Sequence, residues 1–323
     1  MKEPTISEIR EASERIKPFV HCTPVLTCST LNRMCDAEIF FKCENFQKAG
    51  AFKIRGATNA VFALGDGDAS RGVATHSSGN HAAALALAAR WRGIQAKVVM
   101  PENSPQVKKN AVAEYGAEIV FCKPTLKARE ESLAKILGAT GATPIHPYND
   151  DCVISGQGTC ALELCRKIKK LDVVMAPVGG GGLVSGTALA VAGVSPKTRV
   201  IAAEPEKADD AYRSFQAGRI IPSNNPDTIA DGLRTSLGDL TFPIIKRYVR
   251  DIITVSEEAI IESMRHIWER MKIIVEPSAA VPLGALLTRR FAIEGKRIGI
   301  ILSGGNLDLA RLPWIDAGAN RRR

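Results

Sequence analysis

An α/β fold built on parallel sheets is what this 323-residue sequence predicts, and three observations predict it. Short apolar runs alternate with helical stretches from Gly72 to His146, the same rhythm resumes after Tyr148, and glycine-containing turns follow several of the runs. Strands that alternate with helices are joined by right-handed crossovers, which bring them parallel.

The elements follow in order. Apolar residues spaced three and four apart from Ile6 to about Phe19 predict an amphipathic helix, which Thr23-Pro24 ends. EIFFKC (38–43) reads as a strand. A loop holding Gly50 leads to a helix through Lys53-Ile54-Arg55-Gly56-Ala57. GVATHS, AKVVMP, AEIVFC and TPIHP read as strands; HAAALALAARWRG, PQVKKNAVAEYG and LKAREESLAKILG read as the helices between them. This block, 72–147, is expected to form a small mobile lobe inserted into a larger one made of 1–71 and 148–323. In the larger lobe a helix is expected from about Ile154 to Lys170. The strands are VVMAPV, RVIAAEP, DIITVS and RIGIILSGG, with a helix through Met271 before the last. IIPSNNPDT (220–228) is a surface loop.

Composition narrows the function. Hydrophobic residues make up 45% and charged residues 24%, which excludes disorder as the main theme. The net charge of +9 is thinly spread apart from Arg321-Arg322-Arg323, and aromatics are 5%. A nucleic-acid binder needs a dense basic stripe with stacking aromatics, so none is expected as a partner. No apolar run approaches membrane-spanning length, and the N-terminus has no signal-peptide core. The eight cysteines form no CxxC pair, which fits free thiols in a reducing cytoplasm.

Three turns could carry chemistry: Ser77-Ser78-Gly79-Asn80-His81, Gly179-Gly180-Gly181-Gly182 and Ser303-Gly304-Gly305-Asn306. Each follows a strand, and ligands bind at the carboxyl ends of parallel strands. Four residues without Cβ at a helix start expose amides to a phosphate; the alternative is a closely packed turn. No Lys-Ser/Thr follows, so the loop is not a Walker A motif. A nicotinamide-dinucleotide oxidoreductase is the competing class, with Glu204 as the ribose-binding acid, but Ser185 stands where a third glycine is needed. Lys53, at a helix entry beside Phe52, is either a solvated charge or a desolvated amine able to form a Schiff base. The Ser77–His81 turn is either an N-cap or a set of donors for an anionic substrate group. Glu204-Pro205-Glu206-Lys207-Ala208-Asp209-Asp210 is either a solvated acidic helix start or an oxygen site for a hard cation.

Taken with Phe46-Gln47-Lys48-Ala49-Gly50-Ala51-Phe52-Lys53-Ile54-Arg55-Gly56-Ala57, these motifs in this order resemble the fold type II pyridoxal 5′-phosphate enzymes, whose fold is like that of the tryptophan synthase β chain. The resemblance runs from about Ile6 to Leu309 and is strongest to the serine racemase and serine/threonine dehydratase branch. It implies that Lys53 holds the cofactor and then acts as base on one face of the substrate, with Phe52 against the ring. Asn80 would bond the ring hydroxyl, and Gly179, Gly180, Gly181, Gly182 and Leu183 the phosphate. Ser303 would face the pyridine nitrogen, where a neutral hydroxyl leaves a weaker electron sink than a carboxylate.

Ser78 matches the second base of a racemase; many threonine dehydratases carry alanine there. A related branch dehydrates L-threo-3-hydroxyaspartate. Ser77, Ser78, Gly79, Asn80 and His81 would hold the substrate carboxylate, and Arg129 matches a further carboxylate-binding arginine. Glu204, the Ala208 carbonyl and Asp210 match a divalent-cation site suited to Mg²⁺, Ca²⁺ or Mn²⁺. Ser29, Lys48, Tyr115, Lys272 and Asn306 match a nucleotide (ATP) effector site, but Cys28, Ala49 and Ala83 depart from its polar residues. Tyr148 stands where some relatives have Asn. The resemblance thus implies a small hydroxy amino-acid substrate and a homodimer. Because the chain ends soon after the last motif, no isoleucine-binding regulatory domain is expected.

Overall fold

The computed structural model describes residues 2–77, 79–104, 106–288, 292 and 294–314. Ten strands appear among them: β1 (Val25–Leu26), β2 (Glu38–Cys43), β3 (Val73–His76), β4 (Ala96–Pro101), β5 (Glu118–Cys122), β6 (Thr143–Pro144), β7 (Val173–Pro177), β8 (Arg199–Pro205), β9 (Asp251–Val255) and β10 (Arg297–Leu302). They form a six-stranded sheet in the order β1-β2-β10-β7-β8-β9 and a four-stranded sheet in the order β5-β4-β3-β6. Every pairing is parallel except β1 with β2, a two-residue antiparallel edge that the sequence pattern did not reveal.

Both faces of the larger sheet are covered, which is why its strands read as near-continuous apolar runs. Alternation still sorts the side chains. Ile39, Phe41 and Cys43 enter one core with the helices Ser29–Cys35, Glu257–His266 and Pro277–Leu287. Phe40, Val174 and Ala176 enter the opposite core with the helices Ile6–Ile16, Asp151–Lys167 and Gly182–Val194. The smaller sheet shares a third core with the helix Asn80–Arg92. Ile54, Ala57, Ala60 and Val61 of the helix Lys53–Ala63 belong to that third core, as does Val153. The helix that opens with Lys53 therefore lies between the two sheets.

Two helical features differ from the expected pattern. The helix expected through Met271 is Glu257–His266 followed by a wider π turn, Ile267–Met271, which stops where Lys272 turns left-handed at φ 59°. Pro277–Leu287 was not expected, because it is apolar all round and so has no periodic stripe. Pro277 sits in its first turn, where a missing N–H costs nothing. The eight cysteines are free, and among the described residues no helix is long and apolar enough to cross a membrane.

Candidate active site

Most of the chemistry-bearing motifs lie at the carboxyl ends of strands. β3 runs into the Ser77–His81 turn, β7 into the glycine loop, β8 into the acidic loop and β10 into Ser303. The isolated bridge between Ala51 and Gly304, with Phe52 N donating to Ser303 O at 2.9 Å, ties the Lys53 segment to the end of β10.

Lys53 is the first residue of its helix, and its Nζ donates to the Pro147 carbonyl at 2.6 Å. The Phe52 ring centroid is 5.2 Å from the same nitrogen. Burial lowers the amine from 10.5 to about 8, against the opposing pull of the Glu276 carboxylate. It is a partly desolvated amine, so the solvated-charge reading is wrong here.

The glycine loop is both packed and open to an anion. A Cβ on Gly180 would lie 2.3 Å from the Tyr148 ring, and one on Gly182 would lie 2.9 Å from Tyr148 Cβ. Gly181 has φ +91°, a conformation that glycine adopts freely. Thr241 Oγ1 donates to Gly180 O at 2.8 Å and fixes the loop from behind. Among the described residues the amides of Gly179 to Leu183 have no protein acceptor. Donors left over at a helix N-terminus fit a phosphate, so the residues present suit the phosphate-bearing cofactor implied by the resemblance.

The turn after β3 does not serve as an ordinary cap. Gly79 occupies the N-cap position with no side-chain cap, and Asn80 is the first helical residue. Asn80 Nδ2 instead donates to both oxygens of Glu276 at 3.0 and 3.1 Å, and its Oδ1 accepts from Asn306 Nδ2 at 3.0 Å. Asn306 Nδ2 also donates to Ala49 O at 2.7 Å. Burial raises Glu276 to about 7, with the Asn80 hydrogen bonds opposing it. Ser78 lies outside the described residues. His81 is buried, with Nε2 3.2 Å from Ile145 O and, among the described residues, no partner for Nδ1. Arg129, in the helix Leu126–Thr140, has a buried Nε that finds no partner among the described residues.

In the acidic loop, Glu204 accepts the amides of Ala211 at 3.0 Å and Tyr212 at 2.9 Å. Both Asp210 oxygens are buried, with Ser223 holding the carboxyl below where burial alone would put it, and Ala208 ends the single turn between the two acids. Glu204 closes onto amides of its own chain, which removes the ribose-binding role it has in the dinucleotide reading.

The residues suggested for a nucleotide lie in varied settings. Asn306 belongs to the Asn80 network, Lys48 Nζ sits 5.1 Å from the Trp91 ring, and Tyr115 packs on the smaller sheet's core. Ser29 opens the helix Ser29–Cys35, and Lys272 ends the π turn.

Several residues escaped the sequence reading. Glu276 is one; its only signal is an acid directly before Pro277 at a helix start. His76 and His146 are others. A largely buried quartet also gathers around Arg55, two residues from Lys53 on the same helix. Arg55 Nε and Nη2 meet Glu44 at 2.7 and 2.9 Å, and Nη1 and Nη2 meet Glu163 at 2.8 and 2.9 Å. Lys42 Nζ joins Glu163 at 2.5 Å and Thr23 O at 2.8 Å. A lysine inside the apolar run EIFFKC was the available clue, since a buried charge must be paired.

Comparisons with known proteins agree with this arrangement. Residues 16–304 match the family described as Pyridoxal-phosphate dependent enzyme. The chain belongs to that family, and pyridoxal phosphate is the cofactor the family implies. It is 54% identical over 311 residues to a β-hydroxyaspartate dehydratase of Paracoccus denitrificans, covering 96% of this chain and 99% of the relative. It is 51% identical to a serine racemase of Arabidopsis thaliana, covering 95% and 94%. The structure of maize serine racemase superposes with a TM-score of 0.94 at 47% identity, over 99% of this chain and 98% of that one. The expected fold type and the racemase or ammonia-lyase class are borne out, and the oxidoreductase alternative is set aside.

Proposed function

We propose that this chain removes the Cα proton of a small hydroxy amino acid bound to pyridoxal phosphate, racemising serine and eliminating water from serine or threonine to give a keto acid and ammonia. The observation that carries this reading is the Lys53 amine, lowered to about 8 and held 2.6 Å from Pro147 O beside a loop with free amides. The cofactor, when bound, supplies the electron sink for the pair left at Cα. The Gly179–Leu183 amides hold its phosphate, and Ser303 and Asn80 orient its ring. The Ser77–His81 turn takes the substrate carboxylate, and closure of the 72–147 lobe excludes water. Lys53 takes the proton from one face, and Ser78 returns one to the other in racemisation. The Paracoccus relative favours a second reading, ammonia release from L-threo-3-hydroxyaspartate by the same proton removal.

The test is one panel with Mg²⁺ present: L-serine, D-serine, L-threonine and L-threo-3-hydroxyaspartate, with keto acid and enantiomer measured together. D-serine formed from L-serine, and lost in Ser78→Ala while keto acid persists, supports the racemase. Keto acid alone makes the chain a dehydratase of whichever substrate is fastest. Turnover of none rejects the proposal.

The free base is the active form of Lys53, so the rate is expected to rise with pH through about 8. Glu276 favours the ammonium. Glu276→Gln is therefore expected to move this limb to lower pH, and a pH–rate profile with the limb unmoved would show that the two groups do not interact.

Glu204, Ala208 and Asp210 are the proposed Mg²⁺, Ca²⁺ or Mn²⁺ ligands. Burial pushes Glu204 from 4.5 to about 9 and Asp210 from 3.8 to about 7. Raised carboxyls cost the fold stability once ionised, so without a cation stability falls as pH rises from about 4 to about 9. A bound cation favours the ionised form. The gap in Tm between Mg²⁺-loaded and EDTA-treated protein is expected to widen from pH 5 to pH 9; a gap independent of pH would count against the site. Exposed Phe46 and Ile274 lie close together, Asn45 Nδ2 reaching Ile274 O at 3.0 Å, and support a homodimer, which light scattering would test. A cytoplasmic location fits the free thiols.

A further inference from the structure

The sequence spreads its positive charge thinly, but the fold gathers part of it. β10, β7, β8 and β9 are neighbours in that order and all parallel. The segments entering them therefore share one rim of the larger sheet, opposite the carboxyl ends that carry the candidate active site. Backbone hydrogen bonds tie this rim together: Asp172 N donates to Arg297 O at 2.8 Å, Arg199 N to Asp172 O at 2.9 Å and Arg250 N to Val200 O at 2.8 Å. Lys169 and Lys170 lie just before β7, Lys197 and Arg199 at the start of β8, and Arg250 just before β9. All five are exposed, and among the described residues none of them forms an ion pair.

The acids beside them are held by the chain itself. Asp172 Oδ2 accepts Arg297 N at 2.9 Å, Asp251 Oδ1 accepts Ile252 N at 2.8 Å, and Glu38 pairs with Arg297. The helices Asp151–Lys167 and Gly182–Val194 end at the same rim, each bringing roughly half a negative charge. With all of these counted, the stretch from β7 to β9 stays positive.

What the rim lacks narrows the partner. No exposed large apolar side chain lies in these entering segments. There is thus no stacking platform for single-stranded nucleic acid and no wedge for a membrane. Three strands span only about 10 Å, short of the phosphate track that duplex binders neutralise. β9 is also the last strand of its sheet. Arg250 N faces β8, so the alternate residues Asp251 and Ile253 present their amides to the open side. A cavity of about 280 Å³ borders this strand, lined by Tyr212, Gln216 and residues 251–254. A peptide backbone can pair with such an edge, whereas nucleic acids and lipids have none to offer.

We propose that this rim and the open edge of β9 dock an acidic segment of a partner protein, with its carboxylates on Lys170, Lys197, Arg199 and Arg250 and its backbone beside Ile253. The candidate active site opens at the other end of the strands, so a docked partner leaves substrate entry clear.

The test uses full-length holoenzyme and poly-L-glutamate, with polyacrylate of equal charge as a probe that has carboxylates but no peptide groups. Poly-L-glutamate is expected to bind, to bind more tightly than polyacrylate, and to weaken by about tenfold or more from about 0.05 to about 0.2 M salt. Hydrogen exchange at Ile253 is expected to slow when it binds. Lys197→Glu, Arg199→Glu and Arg250→Glu combined are expected to weaken binding by about tenfold or more. Lys123→Glu, Lys127→Glu and Lys135→Glu combined, in and beside the helix Leu126–Thr140, change the net charge equally and are expected to bind as wild type. Thermal unfolding checks the fold of both variants.

Equal binding by all three proteins, or equal loss in both variants, overturns the rim. Polyacrylate binding as tightly, with exchange at Ile253 unchanged, would show a general polyanion surface and overturn the protein partner. Tighter binding of duplex DNA or of phosphatidylserine vesicles would overturn it too. None of these results depends on which amino acid the active site takes.

Discussion

Lys53→Ala is expected to give a folded, colourless protein whose turnover of every hydroxy amino acid falls by about a thousandfold or more. Two roles are lost in one substitution. The variant has no amine to hold the cofactor, so the visible absorption of the purified protein should disappear. It also has no base against one face of the substrate. Among the described residues the side chain makes a single hydrogen bond, to Pro147 O, and burial disfavours its charged form. The thermal midpoint is therefore expected to match that of cofactor-free wild-type protein, which separates lost chemistry from lost structure. Absorption spectra, unfolding curves and keto-acid assays on one preparation decide the matter. A coloured, active Lys53→Ala protein would mean that another lysine does this work.

The largest stability effect is expected at Glu44. Both its oxygens meet Arg55, Oε1 also accepts from Thr23, and neither Glu44 nor Arg55 has any solvent exposure. Burial opposes ionisation of Glu44, but the Arg55 guanidinium overcomes it and holds the carboxyl below 4.5. Glu44→Ala leaves Arg55 buried with one carboxylate lost and is expected to cost about 3–5 kcal/mol. Denaturant unfolding at neutral pH measures this, and a loss under about 1 kcal/mol would show that the network relaxes around the gap. The sign with pH also follows. A depressed carboxyl lends its stability above its unfolded value and loses it only as pH falls through the lower folded value. Wild-type protein should therefore keep this contribution down to about pH 4.5 and shed it below, whereas Glu44→Ala should show a flatter acid limb.

How much was legible in the sequence depended on range. β4, β7, β8 and β10 appeared as apolar runs bounded by turn residues, because a strand covered on both faces needs nothing but apolar side chains; β5 read the same way although it is an edge strand with Phe121 exposed. The glycine loop was visible because four missing Cβ atoms are a local property. Glu276 was hidden because an acid before a proline looks like an ordinary helix start; its meaning comes from Asn80, 196 positions away. His76 and His146 were hidden for a similar reason, since only the β3–β6 register makes them neighbours. β1 was too short to show alternation, and Pro277–Leu287 too uniformly apolar to show period. Lys53 was visible as a residue and ambiguous as a site, since helix position says nothing about desolvation.

The buried quartet has a further consequence for reactivity. Lys42, Arg55, Glu44 and Glu163 carry two charges of each sign, and Arg55 lies two residues from Lys53 on the same helix. Among the described residues Glu276 is nevertheless the charge that bears on Lys53. A group with no net charge has a field that falls off faster than that of a single ion, so the quartet acts as its own insulator. The fold can therefore anchor the helix with largely buried ion pairs without disturbing the basicity of the amine at its tip. Neutralising one member would end that insulation: Glu44→Gln leaves an unbalanced positive charge near Lys53, which favours the free amine and shifts its titration downward.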